Sequence, residues 1–253
     1  MKKYVNLFVF VFMIGACLSQ GRAQTKSAVS YKNPVVDIAM PDPTVIKAAD
    51  GYFYVYATES TRNVPIMKSK DLVEWTYCNT AFTNKTRPRF EPKAGIWAPD
   101  INYINGKYVL YYAMSVWGGE QTCGIGVATA NSPQGPFTDH GKMFRSNEIG
   151  VQNSIDPSLL QYEGRNYLVW GSFRGIYVIE LTADGLSIMS GAKKKRIAGT
   201  AFEAVYIHKH GDYYYMFASI GSCCQGVKST YKVVVGRSKK VWGPYKDKTG
   251  KPM

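Results

Sequence analysis

The 253-residue chain has no apolar run long enough to cross a bilayer as a helix, only three histidines, and far fewer acids than bases. Each shortage excludes something. Its five cysteines, Cys17, Cys78, Cys123, Cys223 and Cys224, show no metal-ligand spacing, and the adjacent pair is a poor zinc signature. The histidines do not read as ligands either. His208 and His210 precede the Gly211-Asp212 turn and suggest an exposed hairpin, and His140 is similar. Hence the residues call for no metal and no cofactor. Eighteen Asp and Glu stand against 31 Lys and Arg, a formal charge of +13. A basic surface attracts nucleic acid, anionic lipid or acidic polysaccharide. The densest cluster, Lys193-Lys194-Lys195-Arg196, lies between Gly191 and Gly199 and reads as a solvated hairpin. No nucleic-acid motif accompanies it, so nucleic acid is not an expected partner. No stretch carries a helical period of ordinary length.

The N-terminus reads as a targeting segment. Lys2 and Lys3 precede the apolar run from Val5 to Ile14. Gly21-Arg22-Ala23 puts small residues where signal peptidase cuts, giving a signal peptide over 1–23 and a mature start at Gln24. The competing reading takes Ile14-Gly15-Ala16-Cys17 as a lipobox, which would place a lipid anchor on Cys17. Either way the body leaves the cytoplasm, to be secreted, periplasmic or held at the cell surface. Segment 1–23 holds Lys2, Lys3 and Arg22 and no acid, so +10 remains on the rest. No linker divides that remainder, and one domain over 24–253 is the simplest count, expected to be a monomer. Export permits disulfides. Adjacent cysteines on a strand point to opposite faces, so no bond between Cys223 and Cys224 is expected, while pairings with Cys78 or Cys123 stay open.

What the chain has in abundance is a repeated phrase. An acid is followed by a short apolar strand, a turn with glycine, and a strand rich in Tyr, Val and Phe. The four copies open near Asp42, Asp100, Asp156 and Glu203, with turns at Asp50-Gly51, Asn105-Gly106, Glu163-Gly164 and Gly211-Asp212. The turn glycines are spaced by 55, 58 and 47 residues (51 to 106, 106 to 164, 164 to 211). Multi-stranded repeats of about 40–50 residues mark β-propellers. Asp-Gly and Asn-Gly are strong hairpin turns because both central positions tolerate positive φ. Later strands repeat as well, each ending on an aromatic anchor such as Trp75, Phe137 or Tyr245. The fold class expected is all-β, with four blades whose first strands line a common axis.

Three carboxylates stand out. Asp42, Asp156 and Glu203 each begin an innermost strand in an apolar setting. Asp-Pro is also a common turn opener, which would account for Asp42 and Asp156 alone; Glu203 has no such excuse. Converging carboxylates raise one another's pKa and separate their titrations, which suits a general acid and a general base working on one bond.

At these residues the chain resembles glycoside hydrolase family 43, nearest its endo-arabinanase branch. The likeness runs from about Asn33 to the end and rests on Gly95-Ile96-Trp97-Ala98-Pro99-Asp100-Ile101, Asn153-Ser154-Ile155-Asp156-Pro157, Ala201-Phe202-Glu203-Ala204, and Ser222-Cys223-Cys224 through Ser229-Thr230-Tyr231 to Val235-Gly236-Arg237-Ser238. The resemblance implies a five-bladed propeller acting on arabinose- or xylose-containing plant cell-wall polysaccharide. It implies Asp42 as general base, Glu203 as general acid and Asp156 as the carboxylate that orients the acid. It implies inversion, with base and acid about 6.5–9.5 Å apart, and Trp97 and Trp117 as aromatic walls for sugar rings. Asn153, Ser154, Ser172 and Phe173 are expected to line the same pocket, and Arg237 to pair with a carboxylate or a hydroxyl. Family members often have His where Pro41 stands. Only four copies of the phrase are present before Met253, so the chain reads as truncated before a fifth blade. That segment would carry a histidine beside a structural Ca2+, so calcium is implied only by the resemblance. An exo-acting arabinofuranosidase or β-xylosidase, or a sugar-binding propeller without catalysis, are the competing functions.

Overall fold

The computed structural model describes residues 30–253. The expected signal peptide, and Cys17 with it, lie outside the described residues. From Asn33 onward the chain is built from antiparallel meanders. The first comprises β1 (Thr44–Lys47), β2 (Phe53–Tyr56), β3 (Pro65–Ser69) and β4 (Thr76–Thr80). The second comprises β5 (Gly95–Ile104), β6 (Lys107–Ser115), β7 (Gly124–Ala130) and β8 (Thr138–Arg145). The third holds β9 (Ser158–Tyr162), β10 (Arg165–Trp170), β11 (Ile176–Glu180) and β12 (Lys195–Ala198), and the fourth holds β13 (Glu203–His210), β14 (Tyr213–Ile220) and β15 (Lys232–Ser238). These are four blades of a propeller. The inner strands run side by side in chain order, β1 beside β5, β5 beside β9, β9 beside β13. Helix among the described residues is confined to single turns at Ser146–Ile149 and Gly226–Lys228, and no helix there is long and apolar enough to cross a membrane.

Side-chain alternation along the central strands explains why the blades stack. In β6, Tyr108, Leu110, Tyr112 and Met114 pack toward the first blade with Tyr54, Tyr56 and Ile66. The alternate residues Val109 and Tyr111 pack toward the third blade with Leu168, Trp170 and Ile179. The period of two thus feeds two separate cores from one strand, which is why β6 is apolar on both faces. The next core joins Val169 and Val178 of the third blade to Val205, Ile207 and Met216 of the fourth. Phe137 and Tyr245 are buried anchors as expected, Phe137 edge-on to Tyr56. On the far side of the fourth blade Phe217, Val233 and Val235 are exposed.

The turns differ in detail. Asn105 and Gly106 both adopt positive φ (48° and 82°), as do Glu163 and Gly164 (50° and 72°). At Asp50-Gly51 only Gly51 does, because the loop is wider: Ala48 N–H donates to Tyr52 O, and Asp50 accepts from Tyr52 N–H and Tyr54 O–H. The basic cluster is not a hairpin: Lys195 and Arg196 open the outer strand β12, though both are exposed.

Candidate active site

All four inner strands are reached through the same kink. Asp42, Ala98, Asp156 and Ala204 have φ of 50°, 41°, 58° and 51°. Each precedes Pro43, Pro99, Pro157 or Val205, so they are equivalent positions of the repeat. The cross-strand register jumps there, from Trp97↔Ala113 to Asp100↔Tyr111 in the second blade and from Glu203↔Ser219 to Tyr206↔Phe217 in the fourth. Left-handed backbone at a non-glycine residue costs roughly 1–3 kcal/mol and tends to persist at functional sites. Asp tolerates it through local hydrogen bonding; the two alanines have no such help.

The kink also sets the phase of each acid. Asp42 and Asp156 occupy the left-handed position and Glu203 stands one residue before it. Asp100 stands two residues after, inside β5 rather than at its start, and this corrects the expectation that every copy places its acid alike. Asp100 ties three blades together: Thr44 O–H donates to its Oδ1 at 3.4 Å, and Leu159 N–H and Asn102 Nδ2 donate to Oδ2, each at 2.7 Å. Burial raises its pKa to about 6, against those hydrogen bonds, which lower it.

Asp42 is exposed, and Thr58 O–H donates to its Oδ2 at 2.5 Å. Thr58 is itself fixed: Ala98 N–H donates to its Oγ1 at 2.7 Å, and its own N–H donates to Pro41 O at 2.9 Å. The adjacent Glu59 pairs with Arg87 and accepts from Ile96 N–H, lashing this loop to the start of β5. Thr58 was not anticipated from sequence.

Asp156 is only partly reached by solvent. Its pKa is pushed well above the ordinary carboxyl range, first by burial, then by the charges of Glu203 and of Asp42; an Ala204 N–H bond at 3.1 Å opposes this. Three carboxyls remote in sequence therefore share one electrostatic field. Glu203 is buried, and Ser172 O–H donates to its Oε2 at 2.6 Å. Asn153 Nδ2 donates in turn to Ser172 Oγ at 2.9 Å. Tyr231 belongs to the same group. Burial above all raises its phenol well beyond the usual range, together with the nearby Glu203 and Asp156, while the neighbouring Ser219 opposes. Tyr231 lay within the family-like stretch, but a loop position gives no sign of where its ring goes.

Of the other expected residues, Trp97 and Trp117 sit together, ring centroids 6.4 Å apart. Trp117 is 79 % exposed, whereas Trp97 is half-buried against Ala113, Cys123 and Ile155. Ser154 does not line the pocket. It is fully buried, donating to Val151 O and accepting from Trp170 Nε1–H, so its hydroxyl is spent on the scaffold. Ser172, only 1 % exposed, acts on Glu203 rather than facing open space. Phe173 is half-buried and follows Ser172 in left-handed backbone. Arg237 lies over the Tyr213 ring at 4.4 Å, which replaces the expected carboxylate or hydroxyl partner. The cysteine pair also departs from expectation. Cys223 and Cys224 are in a loop, not on a strand; Cys224 has φ 65°, and the two sulfurs lie 2.7 Å apart. Among the described residues no group of three His, Cys, Asp or Glu side chains is placed to hold a metal ion.

Comparison with known proteins identifies the family. An extracellular endo-α-(1→5)-L-arabinanase of Bacillus subtilis is 39 % identical over 225 residues, which cover 84 % of this chain and 69 % of that protein. An extracellular exo-α-(1→5)-L-arabinofuranosidase of Cellvibrio japonicus is 37 % identical over 240 residues, 84 % of this chain and 67 % of that one. The solved α-L-arabinanase of Cellvibrio cellulosa superposes with a TM-score of 0.77 at 33 % identity, covering 85 % of this chain and 76 % of its own. Residues 31–253 match the family described as glycosyl hydrolases family 43. The chain therefore belongs to glycosyl hydrolase family 43, whose members cleave glycosidic bonds.

Proposed function

We propose that this chain is an exported, inverting hydrolase that cleaves α-1,5-linked L-arabinan within the polymer. Its base is Asp42, its acid Glu203, and Asp156 orients the acid. The observation that carries the reading is the gathering of these side chains: Asp156 accepts from the N–H of Ala204, the residue after Glu203, and the charges of Glu203 and Asp42 both reach it. Converging carboxyls oppose one another's ionisation, an arrangement that suits a general acid and a general base acting on one bond. Asp42 is the exposed member and meets bulk water. It takes a proton from a water that attacks the anomeric carbon. Glu203 is the buried member, held by Ser172, and gives its proton to the departing glycosidic oxygen. The carbon–oxygen bond breaks as the new one forms on the opposite face, which inverts the centre. This requires the two carboxyls to stand about 6.5–9.5 Å apart, leaving room for the water. Trp117 offers a flat apolar face for a furanose ring.

Support for arabinan comes from the relatives, among them a Cellvibrio arabinanase solved in complex with arabinohexaose. Two of the relatives are extracellular proteins, which supports export. The similarity to an exo-acting relative favours a second reading, release of single arabinose units from chain ends. Digestion of linear arabinan separates the two. Early products of mixed chain length support internal cleavage, and arabinose alone rejects it. Glu203→Ala and Asp42→Ala are each expected to abolish nearly all turnover while sugar binding persists. Normal turnover in either variant refutes the assignment.

A further inference from the structure

We propose that Cys223 and Cys224 form an oxidation site, closing to a vicinal disulfide that stiffens the loop walling the Glu203 side of the cleft. The loop between β14 and β15 is already shaped for this. Its base is stapled by Thr230 N–H donating to Ser222 O at 3.0 Å and Ser222 N–H donating to Thr230 Oγ1 at 3.1 Å. Its interior is tied by Gln225 N–H to Ser229 Oγ and Gln225 Nε2 to Ser222 Oγ. The left-handed turn at Cys224 brings the two sulfurs to 2.7 Å, so closure needs no large movement of the chain. The other two cysteines of the described body are elsewhere: Cys78 is on β4, and Cys123 is buried, its sulfur against Ser146 Oγ at 3.2 Å.

The loop also touches the chemistry. Glu203 pairs across the strands with Ser219, two residues before the loop opens at Gly221, and burial, the neighbouring thiol and the charge of Glu203 push the Cys223 thiol up to about 12. Cys223 is therefore a poor thiolate, and the exposed Cys224 makes the first attack. The co-reactant is a low-molecular-weight or protein disulfide. Cys224 loses its proton and attacks one sulfur, releasing a thiolate and leaving a mixed disulfide. Cys223 then loses its proton and displaces the second thiolate. Two S–H bonds are replaced by one S–S bond, and the donor disulfide is reduced to two thiols. Adjacent Cα atoms are about 3.8 Å apart, below the usual span of a disulfide, so the ring is strained and readily reopened by reductant.

The test uses the whole chain and needs no activity, so its failure is distinct from failure of the hydrolase reading. The protein is treated with oxidised or reduced glutathione, alkylated, and mapped by mass spectrometry. Tryptic cleavage after the exposed Lys228 is timed in both states. Expected after oxidation is a 223–224 peptide lighter by two hydrogen atoms and resistant to alkylation, with cleavage after Lys228 slowed roughly fivefold or more. Both effects should reverse with reductant and vanish in Cys224→Ser, while Cys78→Ser retains them. Persistent free thiols, a stable glutathione adduct, or a bond to Cys78 or Cys123 overturns the site. A closed ring with unchanged cleavage overturns the stiffening.

Discussion

Asp100→Asn is expected to make the protein more stable at neutral pH than the wild type, and equal to it in acid. Asp100 joins blades one, two and three, but it does so as a carboxyl whose charge is disfavoured by burial. Its folded-state pKa of about 6, against 3.8 for the free side chain, means the folded protein holds this proton more tightly than the unfolded chain. The resulting stability is present in full below about 3.8 and is lost as pH rises through about 6. The difference corresponds to about 3 kcal/mol. Asparagine keeps an oxygen for Leu159 N–H and Asn102 Nδ2, and turns an amide toward Thr44 Oγ1, without a charge to desolvate. Urea unfolding of both proteins should be followed from pH 4 to 8. The gap between variant and wild type should open by up to about 3 kcal/mol, mostly between pH 4 and 7. Other ionisable groups are common to both proteins and cancel. A gap that stays constant across this range would falsify the view that Asp100 is a costly buried charge.

Other outcomes follow from the same contacts. Thr58→Val keeps the shape of the side chain but removes the bond to Asp42; a hydrogen bond to a charged group is worth about 1.5–3 kcal/mol, so kcat should fall roughly 10- to 150-fold with KM little changed. Ser172→Ala, which frees one oxygen of Glu203, should lower kcat by roughly tenfold or more; equal rates would remove Ser172 from the machinery. Trp117→Ala deletes an exposed ring and should raise KM for arabinan several-fold with little change in thermal midpoint, since almost none of the ring is packed. A large loss of stability instead would make Trp117 a scaffold residue.

Much of this was legible in the chain because strands advertise themselves twice. The aromatic and β-branched run after Asn105-Gly106 marked the strand as one fitted to a half-buried surface, whereas its packing on both faces came from the structure. The acids at 42, 156 and 203 were visible as carboxyls in apolar settings, and Glu203 as the one that no turn explains. What stayed hidden depends on backbone direction. Ser154 stands two residues before Asp156, yet its hydroxyl turns into the core, while Ser172, separated from Glu203 by 31 positions, turns its hydroxyl toward that acid. Asp100 looks like its counterparts until the left-handed residue at Ala98 shows that it sits two positions later. Cys223 and Cys224 point away from each other on an ideal strand, and only the turn at Cys224 brings them together. Thr58 lies in a loop whose partners come from another blade, and no local pattern announces such a bond.

Both tryptophans belong to the second blade, while Asp42, Asp156 and Glu203 come from the first, third and fourth. Grip and proton transfer are thus housed in different sheets, joined by packed flanks and by the bonds of Asp100 and Thr58. Replacing the exposed Trp117, between β6 and β7, touches no carboxyl, whereas Glu120 later in the same segment accepts Asn153 N–H on its carbonyl and belongs to the support of Glu203. A lineage built on this plan can change which sugar it holds without reopening the problem of how the bond is broken.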